Sequence, residues 1–474
     1  MQLNLENTDV TLPAWAFALL VVLAAWALVE NFIRPVAHWF MRRRVNSVME
    51  EINTRLKIKL QPFKLTKREV LIDRLLYDAQ VLAAAESYER EHELPREEVL
   101  KRVEHYAREI VPAFNAYVYF RVGYWLARRA ARALYRVRLG YTDEAGLANL
   151  HPQSTVVFLM NHRSNMDYIL VAFLAAERTA LSYAVGEWAR IWPLHMLIRS
   201  MGAYFVRRNS KDALYRKVLE RYVYMATTAG VTQAVYPEGG LSRDGLLRPP
   251  KVGLLDYMLR SFDPTGAQDL VFIPVGINYD RVLEDRSLLL DLDPSAEKRS
   301  RAATVFNTIT FILRNLGLMA RNKWRRFGYA CVNFGTPVSL KDYLAAREID
   351  FRRFDREERF EKVEAFGREL MGSIARVIPV LPVPLVATVF VRHPEKAWSE
   401  LELKREVFEL IRRLEARGSH VYIPRGDQDY AITVGLRMLT LRRLVSARDG
   451  LYSVQPSERH VLAYYANSIA HLFV

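Results

Sequence analysis

Between residues 154 and 340, short apolar runs alternate with longer stretches whose apolar positions recur at helical spacing. The runs at 154–160, 181–185, 203–207, 231–236, 270–276 and 328–334 predict strands. The intervening stretches at 165–177, 188–200, 211–229, 252–262 and 300–323 predict helices. Strands and helices taking turns in this way predict an α/β layer fold, with a mixed, mostly parallel sheet flanked by helices. In such a sheet the turns where strands hand over to helices collect along one edge, and chemistry is expected there.

The flanks follow other patterns. Leu12 to Val29 is uncharged and apolar, with Trp15 and Trp26 near its ends, just long enough for a short membrane span. Glu6 and Asp9 precede it, while Arg34 and Arg42 to Arg44 follow, which places the C-terminal side in the cytoplasm by the positive-inside rule. An acidic start does not suit a secretory signal, so the segment reads as an uncleaved anchor, either crossing the bilayer or lying in one leaflet. Residues 45–110 are charged and helical in period, with no chemistry of their own. Residues 112–138 interleave aromatics with Arg121, Arg128, Arg129, Arg132, Arg136 and Arg138. That pattern suits a helix on a headgroup surface, and equally a helix packed on the catalytic layer with a solvated basic face. Residues 350–378 predict a charged helix and 378–386 an apolar connector, before a helical C-terminal module. The expected division is an anchor at 1–44, a helical subdomain at 45–140, an α/β domain at 150–345 and a helical module at 346–474.

Charge narrows the partners. Lys and Arg outnumber Asp and Glu by 68 to 53, which points to nucleic acid, an anionic membrane or anionic substrates. No zinc-finger spacing or RNA-binding signature appears, so nucleic acid is not expected. A single cysteine, Cys331, excludes a disulfide framework and a cysteine-based zinc site.

Two stretches carry candidate chemistry. The first is Phe158-Leu-Met-Asn-His162-Arg-Ser-Asn-Met-Asp167, a strand running into a helix. On a helix, His162 and Asp167 would point about 140° apart, so they meet only if His162 sits in the turn and Asp167 in the first helical turn. Ser164 and Asp167 form a capping pattern that allows this. Taken alone, the pair reads first as a capped helix beside a surface histidine, since two residue types at one spacing recur by chance; the second stretch is what shifts it toward a catalytic dyad. The second stretch, Val235-Tyr-Pro-Glu238-Gly239-Gly240-Leu-Ser242-Arg243, also leaves a strand and ends in a glycine-marked turn. No Gly-x-Ser-x-Gly nucleophile elbow appears.

Together these stretches resemble the glycerol-3-phosphate/lysophosphatidate acyltransferase superfamily, with its His-x4-Asp and Pro-Glu-Gly motifs. Gly240-Leu-Ser242-Arg243 is more similar to the membrane-bound glycerol-3-phosphate 1-O-acyltransferase branch, which includes dihydroxyacetone-phosphate relatives. Gly202-Ala-Tyr-Phe-Val-Arg207-Arg208, Val271-Phe-Ile-Pro274-Val-Gly-Ile-Asn-Tyr279 and the tail Leu462 to His471 agree with that branch. Its members are often longer, so a compact version is expected.

The resemblance implies acyl transfer from acyl-CoA or acyl-carrier protein to glycerol 3-phosphate at the cytoplasmic face of a membrane, the inner membrane in a bacterium. It implies no cofactor and no metal. His162 would be the base and Asp167 its partner. Arg207, Arg208 and Arg243 would meet the acceptor phosphate, with Glu238, Gly239, Gly240 and Ser242 shaping or lining the acceptor turn and Lys251 adding charge. Dihydroxyacetone phosphate or a lysophospholipid as acceptor, and a non-catalytic protein that gathers anionic lipid, remain rival readings.

Overall fold

A computed structural model describes residues 61–175, 179–186, 194–207, 210–292 and 326–473. The expected anchor at 12–29, the expected helix at 300–323, the first half of the one at 188–200 and Arg208 lie outside these residues. Among the described residues no helix is long and apolar enough to cross a membrane.

Among the described residues, eight strands form the main sheet: β1 (Arg136–Thr142), β2 (Thr155–Met160), β3 (Ser182–Val185), β4 (Tyr204–Phe205), β5 (Gln233–Val235), β6 (Leu270–Tyr279), β7 (Tyr329–Phe334) and β8 (Val338–Ser339). Their order is β1-β7-β6-β2-β5-β3-β4, with β8 paired to β6. The neighbours β6-β2, β2-β5, β5-β3 and β3-β4 are parallel, while β7 and β8 run antiparallel to β6. All six strands expected from the apolar runs are present.

Every residue of β2, β6 and β7 is buried, so both faces of the sheet are covered. The two faces build separate cores from alternate residues. Val156, Phe158 and Met160 join one core with the helix Met166–Ala175 and the C-terminal helices. Val157 and Leu159 join the other, with helices from 68 to 110, Ala213–Thr228 and Arg356–Val377. The flanking helical regions are therefore the two covers of one sheet, and Lys57–Val474 forms a single compact unit.

The structure corrects four readings of the sequence. The arginine-edged helix ends at Leu134, and Arg136 and Arg138 lie in the edge strand β1, paired with β7. Residues 378–386 are no connector: Pro382–Arg392 is a buried helix. Its two prolines sit in the first turn, where their missing N–H groups cost no helical hydrogen bond. The C-terminal module also contains a three-stranded sheet, in which β9 (Trp398–Ser399) and β10 (Val445–Arg448) flank β11 (Leu451–Val454). Finally, β6 runs on to Tyr279, because Asn278 and Tyr279 pair with Cys331 and Ala330 of β7.

Gly276 of β6 touches the end of the Arg356–Val377 helix so closely that a Cβ would lie 2.1 Å from the Val377 carbonyl oxygen. Backbone cannot yield as a side chain does. Gly276→Ala is therefore expected to cost at least about 2 kcal/mol, read as a lowered thermal unfolding midpoint.

Candidate active site

Strands β2, β5, β3 and β4 run parallel, so their C-terminal ends deliver His162, Glu238, Gly186 and Arg207 to one edge. The helix after β2 starts at Met166, close to the capping prediction. The Ser164 hydroxyl accepts from the Met166 N–H at 3.1 Å, and the Asp167 carboxylate reaches back to the Ser164 N–H at 3.0 Å. This turn brings the dyad together: Asp167 Oδ2 lies 2.9 Å from His162 Nδ1. A carboxylate accepts, so Nδ1 carries the proton and Nε2 offers its lone pair. Nε2 is buried and, among the described residues, has no hydrogen-bond partner. Asp167 is fully buried and also accepts from the Arg163 N–H at 2.7 Å and, through Oδ1, from the Tyr279 hydroxyl at 2.6 Å.

Glu238 clasps the two motif stretches together. One oxygen accepts the His162 N–H at 2.8 Å and the other the Arg248 N–H at 3.0 Å, while the Ser242 N–H donates to the His162 carbonyl at 2.9 Å. The glutamate thus acts on the histidine's backbone and shapes the turn. Gly239 adopts φ +68°, and a Cβ there would meet the Lys251 stem at 2.6 Å. Gly240 and Lys251 line the same cavity as His162, whereas the Ser242 hydroxyl turns inward to the Leu246 carbonyl at 2.7 Å. Arg207 lines that cavity too, but its guanidinium is paired with Glu109 at 2.8 and 2.5 Å. Arg243 is exposed and does not line the cavity, so the structure does not bring it to the dyad.

Burial pushes the Glu238 carboxyl up to about 7, against the pull of its two N–H donors. The folded state then holds the proton more tightly than the unfolded state. This group's contribution is complete below about 4.5 and is lost as pH rises through about 7, some 3 kcal/mol in all. Glu238→Gln stays neutral and leaves one of the two N–H groups facing an amide N–H. Its unfolding midpoint is expected to start lower and to fall less between pH 5 and pH 8 than that of the wild type.

Several site residues had no sequence signal as a pair. Tyr279 and Glu284 come from β6 and the turn after it, and Glu284 accepts from the Ser164 hydroxyl at 2.7 Å. The ring of Tyr236 stacks on His162 with centroids 4.0 Å apart. Arg163, buried beside the dyad, donates to the Gly245 carbonyl at 2.6 Å and lies over the Tyr464 ring at 4.7 Å. The tail stretch quoted from the sequence thus packs against the first motif. Only the block from Val271 to Tyr279 and the matching tail hinted at these partners.

The cavity measures about 310 Å³. Its lining includes the polar His162, Arg207 and Lys251 and the apolar Leu159, Val235, Leu255, Met258 and Leu370. A buried imidazole oriented by a carboxylate, on a residue that lines the cavity, can take a proton from a hydroxyl that reaches its second nitrogen. Among the described residues no three His, Cys, Asp or Glu side chains are grouped to hold a metal ion.

Known proteins are similar to this chain in sequence. Residues 143–278 match the acyltransferase family model, and residues 315–474 match the model of the glycerol-3-phosphate acyltransferase C-terminal region. The glycerol-3-phosphate acyltransferase of Pseudomonas fluorescens (strain SBW25) is 28% identical over 330 residues, 67% of this chain and 38% of that protein. Its namesake in Pseudomonas entomophila (strain L48) is 25% identical over 426 residues, 86% of this chain and 49% of that protein. The chain therefore spans less than half the length of these relatives. A solved 1-acyl-sn-glycerophosphate acyltransferase from Thermotoga maritima aligns at 16% identity and a TM-score of 0.30, covering 64% of this chain and 96% of that one, too loosely to bear on function.

Proposed function

Since the chain belongs to the glycerol-3-phosphate acyltransferase family, we propose that it transfers a fatty acyl group to the sn-1 hydroxyl of glycerol 3-phosphate. The donor is a thioester, acyl-CoA or acyl-carrier protein, and the product is lysophosphatidate. The observation that carries this reading is His162, which lines the cavity with Nδ1 on Asp167 and, among the described residues, no hydrogen-bond partner at Nε2.

In the proposed reaction, Nε2 takes the acceptor's hydroxyl proton as the oxygen attacks the thioester carbonyl carbon. The tetrahedral intermediate then collapses, the C–S bond breaks, and the departing thiolate takes the proton from Nε2, which leaves free thiol and restores the base. Asp167 keeps the ring in one tautomer and offsets the charge of the transient imidazolium. Because a thiolate leaves readily, no protein nucleophile is needed. Arg207 and Lys251 are the cations lining the cavity and would face the acceptor phosphate. Arg243, exposed beside the acceptor turn, and Arg208 are the further candidates for that role. The segment 12–29 would anchor the chain with its catalytic unit on the cytoplasmic side, the inner membrane in a bacterium.

The test offers glycerol 3-phosphate, dihydroxyacetone phosphate and lysophosphatidate in parallel, with palmitoyl-CoA in detergent micelles, and follows thiol release. Turnover that favours glycerol 3-phosphate, with the acyl chain on the primary hydroxyl of the product, supports the proposal. A preference for lysophosphatidate would keep the chemistry and replace the acceptor. No release with any acceptor, nor with an acyl-carrier-protein donor, would sink it.

A further inference from the structure

Between Glu109 and Asp143 the chain holds six arginines and no acidic residue. The structure shows where they point. The helix Tyr124–Leu134 buries Ala127 and Ala131 against the protein. On the opposite side Trp125, Arg129 and Arg132 fall within about 60° of one another, with Arg128 and Leu126 to either side. Trp125 is 54% exposed, Leu126 40% and Val122 39%, an unusual amount of large apolar surface for one short stretch. Arg129 lies over the Trp125 ring at 5.2 Å.

Next to this face lies a cleft of about 460 Å³, lined by Arg132, Arg136, Arg138 and Arg326 with Phe173 and Leu174. Neutral partners hold these arginines. Arg138 donates to the Tyr422 hydroxyl at 2.8 Å, and Arg136 lies over the Tyr329 ring at 5.6 Å. Among the described residues none of Arg128, Arg129, Arg132, Arg136, Arg138 and Arg326 forms an ion pair. Their charge is left for something outside.

We propose that this helix face and the adjoining cleft dock the folded unit on an anionic phospholipid bilayer, independently of the segment 12–29. Two features select this partner. An exposed tryptophan flanked by leucine and valine suits the boundary between headgroups and chains, and nothing in a nucleic-acid backbone calls for it. The arginine-lined cleft, with Val137, Phe173 and Leu174 in its wall, fits lipid phosphates at that same boundary. The surface is also well placed. Its helix packs on Met166–Ala175, the helix that begins with Asp167, where the Tyr124 and Phe173 rings approach to 5.9 Å. Docking there would hold the dyad about one helix diameter from the headgroups. The docking itself does not rest on the acyl-transfer reading.

The full chain should be floated with vesicles of phosphatidylcholine alone and with about one third phosphatidylglycerol. The segment 12–29 contributes equally to every variant, so the quantity read is the ratio of anionic to neutral partitioning. For the wild type that ratio is expected to reach at least about tenfold at low salt and to fall steeply as salt rises. R128E/R129E/R132E, all at exposed positions, is expected to lower that ratio by at least about fivefold, leaving the share that the basic flank at Arg34 and Arg42 to Arg44 contributes. In a second measurement, chain-brominated lipids should quench wild-type tryptophan emission more than that of Trp125→Phe. An unchanged ratio in the triple variant, or equal quenching in the two proteins, would overturn the proposal. Loss of binding to acyl-carrier protein or to nucleic acid in the triple variant, at an unchanged lipid ratio, would also overturn it in favour of a soluble acidic partner.

Discussion

Replacing His162 by alanine is expected to lower kcat for acyl transfer by about 10²–10⁴-fold, with donor binding little changed. The histidine's structural duties lie in its backbone. Its N–H donates to Glu238 and its carbonyl accepts from Ser242, and alanine keeps both bonds. What disappears is the imidazole, and with it the unpartnered Nε2 and the stacking on Tyr236. The variant should therefore fold, at a cost of about 1–3 kcal/mol for the lost packing. Turnover measured beside the thermal midpoint separates the two effects. A variant that keeps its midpoint and more than about one tenth of the wild-type kcat would leave His162 without the role of base.

Asp167→Asn is expected to cost kcat about 10²–10⁴-fold with a smaller loss of stability than Asp167→Ala. The reason lies in who donates to which oxygen. Oδ2 takes N–H groups from His162, Arg163 and Ser164, so the asparagine must place its carbonyl there. Its NH2 then faces the Tyr279 hydroxyl, which can turn and accept. Geometry survives and the negative charge does not, so the loss falls on the transient imidazolium. Alanine instead strands the Arg163 and Ser164 N–H groups in a buried turn, at about 1–3 kcal/mol each. Unfolding midpoints and kcat for the two variants check this. Equal instability in both would mean that the carboxylate's charge, and not its acceptor count, holds the turn.

Much of this molecule could be read from the sequence, for physical reasons. Strands such as Thr155–Met160 are buried on both faces and so appear as unbroken apolar runs. Strand β1 is an edge strand, exposed over much of its length, and its arginines continued a helical rhythm that began at Arg121. In the helix Pro382–Arg392, part of which had read as an apolar connector, Pro382 and Pro384 occupy the first turn. Within the site, the dyad was legible because both residues belong to one turn. Glu238 was legible as a member of its motif, yet its grip on the His162 backbone depends on β2 and β5 lying side by side. The same holds for Tyr279, which reaches Asp167 across 112 residues of sequence because β6 lies next to β2. Arg207 shows the opposite case. Its position at the cavity was expected, but its bond to Glu109, on a helix that had seemed without chemistry, could be seen only in the fold.

The central claim is that the acceptor alcohol attacks the thioester directly, with His162 as the base. Thiol release from palmitoyl-CoA, followed at enzyme concentrations high enough to see a single turnover, tests it most directly. The expected result is release that requires glycerol 3-phosphate, shows no burst in its absence, and is lost in His162→Ala. A burst of thiol equal to the enzyme concentration without any acceptor, surviving in His162→Ala, would mean that a protein nucleophile takes the acyl group first and would contradict the account.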